Sequence, residues 1–222
     1  MVQDRQRLEE FKNINMQKVK EKKERALGTH LHIKGIRCTS PKCALNRKPH
    51  PPGMHGPKKR GKNSSEYGRQ LKEKQKLKLT YNINERTLLR IFSEASKSKE
   101  STSAKLFELL ELRLDNVLYR LGLCLSRRAG RNMIRDGHVL VNGKKVFAPG
   151  YEVKVGDVIT LSDKFKKSKN FDLIKENLKN YNPPSWLKLD KENISGKLVS
   201  LPEFDFNLIS FEIEPIIDLF SR

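Results

Sequence analysis

Three groups of residues in this 222-residue chain are of types that could do chemistry. The first is Gly56-Pro57-Lys58-Lys59-Arg60-Gly61-Lys62, which imitates a nucleotide phosphate-binding loop. A working loop follows an apolar strand and sets a Ser or Thr hydroxyl after its lysine to hold magnesium. Here Asn63 follows the lysine and Pro51-Pro52 precede the loop, so both composition and context argue against nucleotide hydrolysis. The second group is titratable: His30, His32, His50, His55 and His138, with Cys38, Cys43 and Cys124. The histidines form no triad with a nucleophile and an orienting acid, and no two carboxylates stand out as an acid–base couple. Three cysteines give no disulfide framework and fit a reducing compartment. The third group is Arg127, Arg128, Arg131 and Arg135. At about 100° per helical residue these four share one sector, and Ala129, Gly130, Met133 and Ile134 fill the other. Guanidinium forks grip phosphate bidentately, so the chemistry in prospect is anion binding, not bond making.

The charge points the same way. Lys and Arg number 46 and Asp and Glu 26, a net of +20. Residues 1–80 hold 22 basic and 7 acidic residues, whereas 183–222 hold 4 and 7. A basic front suits a polyphosphate through counterion release, and the acidic tail is expected to face solvent or a basic neighbour. Mean hydropathy is −0.68 and no apolar run approaches a membrane span, so no membrane partner is expected. The first residues lack the apolar core of a secretory signal and are too acidic for a transit peptide, so a cytoplasmic location is expected, with an organelle as the alternative.

The elements that must position these residues follow from breakers and periodicity. Residues 1–30 read as a thin, charged helix with little to bury. Residues 34–65 carry too many glycines and prolines for long regular structure, and hold Arg47, Lys48, His55, Lys58, Lys59, Arg60 and Lys62. His55 is expected to touch backbone or phosphate inside that loop. Ser65–Glu66 caps a basic helix through Leu79 with Arg69, Lys72 and Lys76, and a second helix is predicted at 84–96. Phe107, Leu110, Leu114, Val117 and Leu121 alternate steps of three and four, predicting one long helix that ends at Gly122. Ser126 caps the arginine helix. Val139–Val141, Asn142-Gly143 and Lys144–Phe147 predict a hairpin on a type I′ turn, with Lys144 and Lys145 at its tip. Val153–Leu161 predicts two further short strands, and 170–181 a last helix.

At this level of detail the residues resemble a known family. Arg113-Leu114-Asp115-Asn116-Val117-Leu118-Tyr119-Arg120-Leu121-Gly122, Ser126-Arg127-Arg128 and Gly137-His138-Val139-Leu140-Val141-Asn142-Gly143 resemble the RNA-binding module of the small-subunit ribosomal protein S-four family. That module alone also occurs in pseudouridine synthases, a synthetase tail and stress RNA binders. Pro51-Pro52-Gly53-Met54-His55-Gly56, the helix Glu66-Tyr67-Gly68-Arg69-Gln70-Leu71-Lys72, Trp186-Leu187-Lys188-Leu189-Asp190 and the last residues Phe220-Ser221-Arg222 extend the resemblance over residues 34–222, toward the bacterial-type ribosomal proteins. Residues 1–33 are unlike the family's usual N-terminus. Gly130 stands where the module usually has Ala, which loosens a helix unless close packing requires it.

The resemblance implies an α+β fold: a basic helical domain with an inserted small α/β-hairpin RNA-binding module and an extended N-terminal arm. Its expected divisions are a charged extension (1–33), a loop and helical rRNA-binding domain (34–110), the module (111–165), and a C-terminal helix and acidic tail packed on the helical domain (166–222). It also implies a non-enzymatic, cofactor-free constituent of the small ribosomal subunit. Such a protein would clamp a helix junction in the 5′ domain of small-subunit rRNA and nucleate assembly. It would lie beside ribosomal proteins S-five and S-three, near the channel where mRNA enters. The expected RNA contacts are the basic residues named above together with Arg113. Some members bind structural zinc through two cysteine pairs. Cys38 and Cys43 resemble the second pair, but Glu21 and Glu24 stand at the first, so either histidines complete a zinc set or the pair packs as small thiols. The competing functions are a free RNA-binding regulator and a module-bearing RNA-modifying enzyme. The latter would need a catalytic domain with a dedicated Asp, for which the flanks are too basic or too short.

Overall fold

The computed structural model describes residues 21–35, 38, 40–57, 65–179, 181–205 and 208–221. Two short helices, α1 (Lys22–Leu27) and α2 (Ala44–Arg47), precede a helical body of α3 (Glu66–Thr80), α4 (Glu85–Ala95) and α5 (Thr102–Glu111). Their starts follow the sequence: Ser65 Oγ accepts from Gly68 N at 3.2 Å and Asn84 Oδ1 from Thr87 N at 2.8 Å. Each bond satisfies one of the donors that a helix start leaves open. Leu77, Tyr81, Leu88, Ile91, Leu106, Phe107 and Leu110 close one core, which Phe211, Ile213 and Ile216 complete from the tail around α10 (Glu214–Phe220).

The second body holds α6 (Leu114–Arg120), α7 (Arg127–Arg135), β1 (Val139–Val141), β2 (Lys144–Lys145) and β3 (Val158–Leu161), followed by α8 (Asp163–Lys166), α9 (Lys169–Leu178), β4 (Leu187–Asp190) and β5 (Ser195–Leu198). The five strands form an antiparallel sheet in the order β2-β1-β3-β5-β4. Asn142 (φ 50°) and Gly143 (φ 77°) occupy the left-handed region that a type I′ turn demands. Val139 and Val141 face inward opposite Leu161 and Ile159, over α6 and α7.

Four expectations are corrected. The long apolar helix is two helices: Arg113 is extended (φ −64°, ψ 134°) and bridges Glu152. Leu114 N donates to Tyr151 O, Asp115 N to Pro149 O and Val153 N to Leu112 O, so the 149–153 segment takes bonds that would have continued the helix. For the same reason Val153–Leu161 yields one strand, not two. The hairpin's second arm ends at Lys145. Finally, 166–222 does not act as one unit on the helical body. Phe171, Ile174, Leu178, Trp186, Leu187 and Leu198 lie in the module core, because β5 covers the edge of β3 that would otherwise be unpaired. Only the stretch around Phe204–Phe220 packs on the helical body.

Gly130 is explained by packing. A Cβ built there would lie 2.9 Å from Cys124 Sγ and 3.2 Å from Asp115 O, where α7 crosses α6. The helix-propensity gain of ~1 kcal/mol is therefore outweighed by overpacking, and Gly130→Ala is expected to lose about 1–2 kcal/mol net. Urea unfolding checks this. Adding Cys124→Ala, which removes the nearest atom, is expected to restore stability. A simple gain from Gly130→Ala alone would show that the contact yields freely.

Candidate nucleic-acid interface

Helix α7 positions the arginines. Ser126 Oγ accepts from Ala129 N at 3.2 Å to start it, and Gly137 (φ 69°) follows its end. Gly130, Met133 and Ile134 are buried. The opposite side meets the turn after α3, where Asn82 (φ 52°) offers its carbonyl to Arg131 Nη1 at 2.8 Å. Between turn and helix lies a polar groove of about 520 Å³, lined by Asn82, Ile83, Asn84, Arg128, Arg131, Asn132 and Arg135. Arg135 is exposed and Arg128 and Arg131 are half-buried. Arg131 is crowded by like charge: burial lowers its pKa, Asp115 opposes this, and Arg135 and Arg113 add to the lowering. An anion in the groove relieves that repulsion. The groove sits on the seam between the two bodies, so a ligand bound there touches both.

Two of the predicted contacts are corrected. Arg127 is buried rather than at the surface: it is 9% exposed, its guanidinium stacks 5.0 Å from the Tyr81 ring and 4.5 Å from Tyr119, and Nε donates to Asn116 Oδ1 at 2.7 Å. Arg113, 6% exposed, holds Asp115 by two bonds, Nε to Oδ1 at 3.1 Å and Nη2 to Oδ2 at 2.9 Å. Helical periodicity put Arg127 in the arginine sector, but that sector faces the other body at its first turn and solvent only farther on. Arg47, Lys48, His55, Lys72, Lys144 and Lys145 are exposed. The 48–50 backbone is tied to α1, since Arg25 donates to Lys48 O and His50 O at 3.0 to 3.2 Å. Lys58, Lys59, Arg60 and Lys62 lie outside the described residues.

On α3, Arg69 meets Glu212 Oε2 at 2.7 Å, and Lys76 meets Glu73 Oε1 at 2.7 Å. Glu73 Oε2 also accepts Glu212 N at 3.0 Å. One basic partner of the acidic tail is thus the chain's own helix. The groove members missed from sequence are Asn82, Asn84 and Asn132. The Asn-x-Asn turn ahead of a capped helix was the signal for the first two, and Asn132 lies within α7 itself.

Among the described residues, the cysteine pair gathers no set of zinc ligands. Cys38 Sγ lies 3.9 Å from both oxygens of the buried Glu24, whose Oε1 accepts Leu31 N at 3.1 Å and Ile33 N at 3.3 Å. Cys43 Sγ is 4.0 Å from His30 Nδ1. Among the described residues, no three His, Cys, Asp or Glu side chains converge so as to hold one ion. Burial, with Glu24 and Cys43 adding to it against a lowering bond from Lys34 N, pushes the Cys38 thiol up to about 11. The Glu24 carboxylate organises this corner instead, as acceptor for the backbone that turns around it.

Beneath the groove a buried polar network joins the bodies. Glu111, fully buried, accepts from Tyr81 Oη at 2.7 Å, Asn116 Nδ2 at 2.8 Å, and Arg120 Nε and Nη2 at 2.9 Å. Arg120 Nη2 also donates to Leu208 O, and Tyr181 Oη to Arg120 O. Burial acts to raise the Glu111 pKa, but Arg120 and Arg127 together bring it below its ordinary value. The seam between the two bodies therefore holds a charge-compensated network.

Residues 15–111 match the family described as "Ribosomal protein S4/S9 N-terminal domain" and residues 112–159 the "S4 domain". The chain is 44% identical over 198 residues to the small ribosomal subunit protein uS4 of Thermus thermophilus, covering 88% of this chain and 93% of that one. It belongs to the uS4 family. The uS4 proteins of Acetivibrio thermocellus (45% over 195 residues, 88% and 93% covered) and Aquifex aeolicus (47% over 185 residues, 80% and 86% covered) are similarly close. The uS4 match begins at residue 15, earlier than the resemblance at residue 34, so part of the charged N-terminal stretch is family sequence. The uS4 family is structural and non-enzymatic, and the fold is the α+β arrangement expected, with the S4 module following the helical body. No helix of the described residues is long and apolar enough to cross a membrane.

Proposed function

We propose that this uS4 protein is a structural constituent of the small ribosomal subunit that grips rRNA at a junction of helices. The observation that carries this reading is the groove of Arg128, Arg131 and Arg135, which opens on the seam between the helical body and the module. Duplex RNA hides its base edges, so recognition there works through shape, phosphate and 2′-hydroxyl contacts. A rigid seam bearing three guanidinium groups is suited to a bent backbone. Lys144 and Lys145 on β2 supply exposed charge from the module, and Arg47, Lys48, His55 and Lys72 from the N-terminal half. Two separate basic surfaces on one rigid chain clamp two RNA segments at a fixed angle. The target is the 5′ domain of small-subunit rRNA, bound early enough to nucleate assembly. In the ribosome of the cytoplasm the protein lies near the mRNA channel beside ribosomal proteins S-three and S-five, as its resemblance implies.

The test is titration of the full chain with the rRNA 5′ domain and with an unrelated RNA of equal length, across salt concentrations. A preference of ~10³-fold for the 5′ domain with a steep log–log salt slope is expected. Equal affinity for both RNAs would reduce the chain to a polycation and favour a free regulator.

A further inference from the structure

We propose that a second cleft, on the neighbouring face of α7, receives one unstacked guanine base from the RNA strand whose phosphates lie in the arginine groove. The inference rests on the groove being the RNA interface. The cleft has a volume of about 360 Å³ and lies where α7 meets α8 and α9. Its walls include Met133, Phe165 and Ile174, with the His138 ring 5.3 Å from that of Phe165. Apolar and aromatic walls of this kind accept the flat face of a base, as single-stranded RNA recognition requires. Asn132 lines both the cleft and the groove. A strand held by Arg131 and Arg135 can therefore turn one base past Asn132, a quarter-turn around α7, without leaving its phosphate contacts.

Asp136 selects the base. It caps the C-terminal end of α7, where the helix dipole disfavours a carboxylate. It is exposed, and among the described residues its carboxylate has no ion pair or hydrogen-bond partner. It follows Arg135 and shares the cleft with Lys164, on a face otherwise suited to phosphate. An acid there repels the RNA backbone and gains nothing within the fold. Its two oxygens lie side by side and can only accept, so they match a ligand edge that presents two adjacent donors. The Watson–Crick edge of guanine offers that pair, its ring N–H and its exocyclic amino group side by side. Adenine and cytosine each present a donor beside an acceptor, and uracil a single N–H between two carbonyls. The charges at the cleft thus favour guanine over the other bases and over a bare phosphate.

The experiment titrates the full chain with uridine decamers carrying a single central G, A, C or U. The G decamer is expected to bind ~10-fold tighter than the others. Asp136→Asn replaces an acceptor with a donor at an exposed position that does not hold the fold. It should abolish the preference while leaving binding of the all-U decamer equal or tighter. Arg135→Gln should weaken all four decamers together and keep the preference. Equal binding of all four with a steep salt dependence would overturn the guanine site and leave the RNA interface standing. A preference that persists in Asp136→Asn would also overturn it. Failure to bind any decamer or the rRNA 5′ domain would overturn both readings.

Discussion

Glu111→Gln is expected to lower unfolding stability by about 3–5 kcal/mol at pH 7, because it removes one partner of a buried ion pair and leaves the other uncompensated. Arg120, 11% exposed at its side chain, then faces no full negative charge, and Arg127 above it loses the same support. Glutamine keeps the size and one carbonyl acceptor. The loss thus reads the charge and not a cavity. The pH dependence follows from the depressed carboxyl. In the unfolded chain Glu111 titrates near ~4.3, and in the fold it titrates lower. Its contribution is therefore fully present above ~4.3 and fades as pH falls through the folded value. Urea midpoints should show a constant gap between wild type and Glu111→Gln from neutral pH down to about pH 5, narrowing in more acid solution. Coincident midpoints at pH 7 would mean that the network contributes no net stability.

The same network shows what a sequence can and cannot reveal. The starts at Ser65 and Ser126 were legible because each side chain acts within three residues of itself. The Asn142-Gly143 turn was legible because only such residues tolerate its backbone. The break at Arg113 was not. It arises from bonds to residues 149–153, some forty positions away, which no window of periodicity contains. The arginine helix was placed correctly and its face half misjudged for a related reason. A helical wheel finds the polar sector, but not that Tyr81 and Tyr119 close over its first turn. The place of Asn82 and Asn84 in the groove was not legible, because the turn they shape lies opposite α7 only once the two bodies meet. The role of Glu24 beside Cys38 was not legible either, because its bonds to Leu31 N and Ile33 N close a turn that only the folded backbone shows.

That division within one arginine cluster makes the remaining prediction sharp. Replacing Arg128, Arg131 and Arg135 together with Gln is expected to weaken binding to the rRNA 5′ domain by ~10²-fold or more, since each charged hydrogen bond lost is individually substantial. The slope of log affinity against log salt should become shallower by roughly 2–3, about one for each phosphate released. Urea stability should fall much less than in Glu111→Gln, because Arg135 is exposed and Arg131 gives up one bond to Asn82 O and a long ion pair of 3.9 Å to Asp115. Arg127→Gln should do the reverse. It forfeits two ring contacts and the bond to Asn116 in a desolvated setting, at about 2–3 kcal/mol of stability, while the salt slope stays at the wild-type value. The two variants carry the same chemical change on one nine-residue helix, so helix propensity and net charge cannot account for opposite outcomes. If Arg127→Gln flattened the salt slope while its unfolding midpoint held, Arg127 would have to swing out to meet phosphate. Its place between Tyr81 and Tyr119 would then be a resting state. If the triple variant kept the full slope, the groove would not be the phosphate site, and the exposed lysines of β2 and the basic residues of the N-terminal half would have to carry the rRNA alone.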